Sequence, residues 1–192
     1  MTANKIVVLD PGHGGRDPGA VDPPQPWQGD MLATREDEIA YDIAFRTARA
    51  LGAAGYTAHL TRGMKQYISL AGRCEVANHL GAAAFVSIHV NAAADPGAAG
   101  IETFSYPGAC QGARLRDLVH REIMRLAPQF RDRGPKVAKH YVTHYTRMPS
   151  CLVECGFCTN PEDERRLHEL GVRDRLAQGI ASGVALFLGG GS

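Results

Sequence analysis

The chain has 192 residues, of which 44% are hydrophobic and 21% are charged, so it is long enough to bury one sizeable core. Lys and Arg number 21 and Asp and Glu 20, and the net charge of +1 gives no reason to expect a nucleic-acid or anionic-membrane surface. No run approaches the ~20 apolar residues that span a bilayer, and Met1–Leu9 is too short for a signal-peptide core. We predict one domain over residues 1–192, synthesised in the cytoplasm.

Six short runs rich in β-branched or aromatic residues predict strands. They are Lys5–Leu9, Tyr56–Leu60, Ala84–His89, Gly100–Tyr106, His140–His144 and Ser150–Glu154. Between the first three, Glu36–Leu51 carries an apolar stripe at helical spacing, and Leu70–Leu80 predicts a shorter helix. Alternating strands and helices indicate parallel neighbours with right-handed crossovers, hence an α/β sheet covered by helices on both faces.

Three more helices are predicted in the second half of the chain. Apolar positions recur from Leu115 to Leu126 and from Leu176 to Phe187, and Asn160-Pro161 is a helix-start signal. The proline-rich segment Val21–Leu32 is a long loop, and long loops often carry function. With Trp27, it is either one wall of a cleft or an ordinary surface loop.

Four residues with chemical potential are predicted to share one edge of the sheet, where the carboxyl ends of parallel strands meet. His13 follows the first strand, Glu36 opens the first helix, His89 ends the third strand, and Glu154 ends the sixth if that strand is parallel. Two His and one Glu are a known ligand set for catalytic zinc, which leaves one position for water. An unliganded carboxylate can take a proton from that water, and Glu154 suits this role.

Three of these residues also have plainer explanations. His89 can be a hydrogen-bonded structural residue, and Glu36 can be a charge favoured by the helix dipole. The glycines around His13 suit a simple turn. Glu154 is costly in a buried strand unless it is paired or used. The residues alone leave both interpretations open.

Several blocks in chain order carry a family resemblance. They are Leu9–Gly15 with Asp17–Ala20, Leu60–Arg62, Arg73 with Ala77-Asn78, Val86–Ala92, Gly100–Glu102 and Leu152–Phe157. The set resembles the zinc-dependent N-acetylmuramoyl-L-alanine amidases of the amidase 3 family, from about residue 5 to residue 188. The resemblance implies hydrolysis of the amide between N-acetylmuramic acid and L-alanine in peptidoglycan.

The resemblance also implies a fold and a site. The fold is a twisted mixed, mostly parallel six-stranded sheet between helices. The implied zinc ligands are His13, Glu36 and His89, and the implied catalytic carboxylate is Glu154. Glu36 is assigned because its spacing to the Ile43-Ala44 pair matches the family pattern, and Glu38 is the runner-up.

Other polar residues match the family at positions where they could orient substrate or a ligand. Asn91, Lys136 and Arg73 are the substrate-binding candidates, although structural ion pairs are favoured for Arg73 and Arg62. A wall substrate without an export signal suggests a phage-type endolysin, released through a membrane pore made by another protein; a cytosolic recycling enzyme and a truncated exported enzyme are the alternatives. We expect a monomer that binds peptidoglycan, with no nucleic acid and no membrane insertion.

The cysteines support a rival hypothesis. An odd count of five argues against a disulfide framework. Cys151, Cys155 and Cys158 have the C-x-x-x-C-x-x-C spacing that resembles the cluster motif of radical S-adenosylmethionine enzymes, so an iron-sulfur enzyme is an alternative. Too few residues follow Cys158 for that family's barrel. A catalytically inactive wall-binding module is a third hypothesis, disfavoured because all candidate ligands are present.

Overall fold

A computed structural model of the chain describes residues 5–23 and 33–189. Strands and helices alternate along most of this length, as the sequence predicts. The strands are β1 (Ile6–Pro11), β2 (Val21–Asp22), β3 (Thr34–Arg35), β4 (Thr57–Leu60), β5 (Ala84–Asn91), β6 (Ile101–Ser105), β7 (Asp132–Val137) and β8 (Ser150–Phe157). The helices are α1 (Glu36–Ala53), α2 (Leu70–His79), α3 (Cys110–Leu126), α4 (Tyr141–Tyr145), α5 (Pro161–His168) and α6 (Leu170–Gly189).

The main sheet has six strands in the order β4-β1-β5-β8-β6-β7. All neighbours are parallel except β8 and β6, so β6 and β7 run opposite to the other four strands. The predicted mixed, mostly parallel sheet is therefore confirmed. A second, two-stranded sheet pairs β2 with β3 in antiparallel fashion at the two ends of the segment 24–32. The remainder of the predicted loop, with Trp27, lies outside the described residues.

The two faces of the sheet bury cores of different size, because successive side chains on a strand point to opposite sides. Helices α1, α3 and α6 cover one face, where Leu9, Val86 and Val153 join the larger core cluster. Helices α2 and α4 contact each other over the other face, where Val8 and Phe85 belong to a smaller cluster. The thinner cover leaves room for a site on the second face.

The prediction of a strand at His140–His144 is wrong. Residues Tyr141–Tyr145 form one turn of helix, in which only Val142 and Thr143 are buried. The remaining strand of the six-stranded sheet is instead Asp132–Val137, at the sheet edge. Residue propensity does not predict this strand, because Gly134 with φ 79° and the adjacent Pro135 both weaken a strand and are tolerated at edges and bulges.

The predicted helices are confirmed, with bounds that shift by a few residues. Asn160 caps α5 as the Asn-Pro signal indicates, because its side chain accepts from the backbone N–H groups of Glu162 and Asp163. None of the helices in the described part of the chain has the length and apolar character needed to cross a membrane.

Candidate metal and active site

Strand order brings the four candidate residues to one edge of the sheet. His89 lies near the end of β5, and the parallel register places Glu154 of β8 directly beside it. His13 follows β1, the other parallel neighbour of β5, and Glu36 is the first residue of α1. Because β8 is parallel to β5, Glu154 lies at the same edge of the sheet as the other three residues.

His13, Glu36 and His89 each offer one ligand atom, and these atoms all lie within 4.8 Å of one another. Glu36 joins the group: its Oε2 lies 3.2 Å from His13 Nε2 and its Oε1 lies 2.8 Å from His89 Nδ1. In residues 5–23 and 33–189, no other set of three or more His, Cys, Asp or Glu side chains is so placed. Two imidazoles and one carboxylate suit zinc, so the residues present fit a single ion.

A second carboxylate orients one of the candidate ligands. Asp17 Oδ2 lies 3.0 Å from His13 Nδ1, and the backbone N–H of Gly19 holds the other Asp17 oxygen at 3.1 Å. A carboxylate on one imidazole nitrogen fixes the ring and leaves the opposite nitrogen for a metal. His13 Nε2, which faces Glu36, is therefore the nitrogen prepared for coordination.

Glycines allow the loop after β1 to close around the site. A Cβ on Gly12 would lie 2.4 Å from the His89 ring, and a Cβ on Gly19 would lie 2.5 Å from Glu36 Oε2. Gly19 has φ 66°, and His13 itself adopts φ 56°, which is uncommon for a residue with a side chain. The glycine-rich block is required by close approach as well as by the turn.

The electrostatics of the group favour a bound cation. The hydrogen bond with Glu36 raises the pKa of His13 to about 9, against the opposing effect of burial. Burial by itself would raise the pKa of Glu36, but the hydrogen bonds with His13 and His89 outweigh it and hold that pKa far below its usual value. The carboxylate is thus stabilised as an anion between two imidazoles. A proton or a metal ion is what this arrangement stabilises.

Glu154 has the properties of a general base. Burial raises its pKa to about 7, with smaller contributions from the charges around it. Its Oε2 atom is buried and has no hydrogen-bond partner among the described residues. A carboxylate with a pKa near neutrality and an unused oxygen, beside the candidate ligand His89, can accept and return a proton.

Two of the predicted substrate-binding residues converge on Glu102, which lies opposite Glu154 in the antiparallel β6–β8 pair. Asn91 Nδ2 donates to Glu102 Oε1 at 2.9 Å, and Lys136 forms an ion pair with Glu102 Oε2. Arg133 Nε donates to the same Oε2 at 2.7 Å. No role was assigned to Arg133 from the sequence, because the strand β7 that carries it was not predicted.

Arg73 and Arg62 lie beneath the His13 loop. The Arg73 side chain is 4% exposed, and it pairs with Asp10 at 2.7 Å and donates to the carbonyl oxygens of Pro11 and His13. Arg62 donates to the carbonyl oxygens of Gly12 and Asp37 among others. Arg73 borders the cavity at the site, but its guanidinium is engaged inside the protein, as the structural ion-pair interpretation expects.

A cavity of about 210 Å³ opens beside the two histidines. His13 and His89 form one side of it, and Tyr67, Ile68 and Tyr141 contribute aromatic and aliphatic surface from the β4–α2 loop and from α4. The cavity therefore joins the candidate metal ligands to a largely apolar pocket.

The runner-up ligand and the cysteines lie elsewhere. The Glu38 side chain is 65% exposed and lies 3.6 Å from Arg35, outside the group of ligand atoms. Cys151, Cys155 and Cys158 are free and buried, and they pack in the larger core. Burial raises the pKa of Cys151 and Cys158 to about 12 and that of Cys155 further. Such thiols resist forming the thiolates that an iron-sulfur cluster requires, so the iron-sulfur alternative is not favoured.

The fold and the site define a class: a mixed α/β domain with a candidate single-metal centre and an adjacent carboxylate at the edge of its sheet. Residues 7–185 match the N-acetylmuramoyl-L-alanine amidase family, and the chain belongs to that family.

Individual relatives agree with this assignment. The chain is 34% identical over 180 residues to N-acetylmuramoyl-L-alanine amidase CwlM of Bacillus licheniformis, covering 93% of this chain and 67% of that protein. It is 36% identical over 185 residues to LytC of Bacillus subtilis, covering 95% of this chain and 35% of that protein. It thus spans between about a third and two thirds of the length of these curated relatives.

Solved structures share the whole architecture. An N-acetylmuramoyl-L-alanine amidase from Clostridium difficile 630 superposes with a TM-score of 0.90 at 32% identity, covering 100% of both chains. AmiC2 of Nostoc punctiforme gives a TM-score of 0.88 at 34% identity, covering 98% of this chain and 99% of that chain.

Proposed function

We propose that this protein is a zinc-dependent enzyme that hydrolyses the amide bond between N-acetylmuramic acid and L-alanine in bacterial peptidoglycan. The observation that carries the proposal is the grouping of His13, Glu36 and His89 within 4.8 Å beside Glu154, whose Oε2 has no described partner. Family membership supplies the substrate class. The family therefore indicates which bond is cut, and the candidate ligands with Glu154 supply groups suited to its hydrolysis.

The three ligands would hold zinc, and Asp17 would keep the His13 ring in the orientation that ligation needs. Zinc, when bound, supplies a Lewis acid that polarises the amide carbonyl and lowers the pKa of water at the site. The buried Arg73 and Arg62 side chains support the loop that carries His13, because both donate to its backbone carbonyl groups.

Glu154 would transfer the proton in both halves of the reaction. As the base it takes a proton from the attacking water, and as the acid it returns that proton to the nitrogen of the departing L-alanine. A pKa of about 7 allows one carboxyl group to do both near neutral pH. Asn91 and Lys136, which both contact Glu102, are our candidates for substrate contact.

Digestion of purified peptidoglycan, followed by mass spectrometry, tests the activity. We expect free stem peptides that begin with L-alanine together with peptide-free glycan strands. A zinc chelator should stop their release, and added zinc should restore it. Peptidoglycan that stays intact with zinc present would contradict the proposal.

Two variants separate proton transfer from metal binding. Glu154→Gln should keep its zinc and lose turnover by a factor of about 10²–10⁴, the usual contribution of a positioned general base. His89→Ala should lose both zinc and turnover. His79→Ala, on the exposed end of α2, is the matched control and should keep both. Full activity of either site variant would overturn the assigned roles.

A further inference from the structure

The two sides of the candidate centre differ in charge. On the side of β1 and α2 the cavity is lined by Tyr67, Ile68 and Tyr141, with the carboxylate of Asp17 paired to His13 and the bordering Arg73 neutralised by Asp10. Arg16 stacks on Tyr67 at 4.3 Å but is not part of the cavity lining. On the side of β6 and β7 the surface is cationic. A substrate with one neutral end and one anionic end would distinguish the two sides.

The cationic surface is formed by Arg133 and Lys136 above the buried Glu102. The side chains of Arg133 and Lys136 are 26% and 38% exposed, whereas that of Glu102 is 6% exposed. Within the described part of the chain, the ion pairs of both cations go to Glu102. Two positive charges share one carboxylate, so one positive charge is in excess.

Nearby acidic side chains are engaged elsewhere. Asp132 contacts His120 Nε2 at 2.8 Å and accepts from the backbone N–H of Gly134. Asp163 accepts from the backbone N–H groups of Gly100 and Phe157. Glu154, opposite Glu102 on β8, likewise forms no ion pair with Arg133 or Lys136 among the described residues, so Glu102 is the carboxylate that the two cations share.

A bulge in β7 brings the two cations together. Ile101 pairs with Asp132 but Thr103 pairs with Pro135, so β7 has one residue more than β6 between these pairs. Without this shift, residues three apart on a strand point to opposite faces. The shift lets Arg133 and Lys136 reach the same carboxylate. The Arg133 guanidinium also stacks on the Phe157 ring at 4.8 Å, which fixes its position further.

We propose that Arg133 and Lys136 bind the α-carboxylate of the second stem-peptide residue. The peptide then leaves the scissile amide toward β7, and the sugar occupies the cavity beside β1 and α2. This inference rests on the proposed function. An Arg and a Lys on one carboxylate give charge-assisted hydrogen bonds, and the N-acetylated glycan offers no such anion.

The distance from Glu154 to β7 agrees with a peptide that runs from the scissile amide toward Arg133 and Lys136. Adjacent strands are about 4.8 Å apart, so β7 lies about 10 Å from β8, which carries Glu154. Two extended peptide residues span about 7 Å, and the long Arg and Lys side chains cover the remaining distance. In the stem peptide, this α-carboxylate is the free carboxylate nearest to the scissile bond, because the γ-carboxyl of that residue continues the peptide.

Two small substrates test the site directly. N-acetylmuramoyl-L-alanyl-D-glutamate and N-acetylmuramoyl-L-alanyl-D-isoglutamine differ only in that the α-carboxylate of the first is an amide in the second. We expect the zinc-loaded protein to show about a tenfold higher kcat/KM for the acid, mostly through KM. In the double variant Arg133→Met, Lys136→Met this preference should disappear. Lys139→Met, which removes an exposed charge just beyond β7, should keep it.

The two substrates also separate binding from positioning. If Arg133 and Lys136 only hold Glu102, the double variant will lose activity equally on both substrates, and the proposal is overturned. It is equally overturned if the wild-type protein does not distinguish the acid from the amide. Cleavage of neither substrate would count against the proposed function. In that case the affinities of the Glu154→Gln protein for the two compounds are measured by calorimetry. The carboxylate site requires that the acid binds more tightly than the amide.

Discussion

Glu36 is the residue on which the candidate centre depends most. Each of its carboxylate oxygens faces one imidazole, and they also accept the backbone N–H groups of Ala20 and Val90. Its own N–H donates to the carbonyl of Ala20, so the start of α1 is clamped to the loop that carries His13. The same residue therefore sets the site and joins two segments that are far apart in sequence.

Arg73 was a candidate for substrate binding, and its surroundings predict a structural effect. Arg73→Met leaves the carboxylate of Asp10 buried with two hydroxyl donors, Thr61 and Ser87, but without its cation. Breaking a buried pair in this way costs about 3–5 kcal/mol, which urea unfolding of the metal-free protein would measure. Arg49→Met, exposed on α1, should change stability by no more than about 0.5 kcal/mol. Unchanged stability with a raised KM would return Arg73 to the substrate-binding residues.

At the scale of elements, sequence patterns located the regular strands and helices and failed at the irregular ones. Amphipathic periodicity was sufficient for α1, and strand order predicted that His13, Glu36 and His89 would meet. The edge strand β7 lacks any β-branched run before its final Val137, so propensity favoured a strand at His140–His144, where the structure has the helix α4. The contact of Arg133 with Glu102 was missed because β7 was not predicted, and a bulge cannot be predicted from strand alternation in any case.

The packing of α6 on α3 gives a prediction at this scale. A Cβ on Gly183 would lie 2.4 Å from the Cα of Val119, so the two helix backbones approach too closely for any side chain. Gly183→Ala should therefore destabilise the protein by about 2 kcal/mol, although alanine favours helix. Gly52→Ala in α1, where a Cβ would meet no atom within 4 Å beyond the backbone of its own helix, is the control and should stabilise by about 0.5–1 kcal/mol. Equal effects of the two changes in thermal unfolding would refute close helix packing.

For the whole molecule, the site links elements that the sheet alone does not hold together. The three candidate ligands come from the loop after β1, the first turn of α1 and the end of β5, and Glu36 follows the segment 24–32. A cation at this point would tie the loop and helix to the central strands. Occupancy of the site should therefore affect global stability as well as turnover.

Thermal unfolding with and without zinc measures this link. An ion present at about 100 times its Kd stabilises the folded state by about 2.7 kcal/mol, which for a domain of this size raises Tm by about 5–10 °C. The shift should vanish in His89→Ala and remain in Glu154→Gln, because only the first variant removes a ligand. An equal rise of Tm in His89→Ala would place the bound ion elsewhere. Cys110, the exposed one of the five thiols, would then be the first side chain to replace.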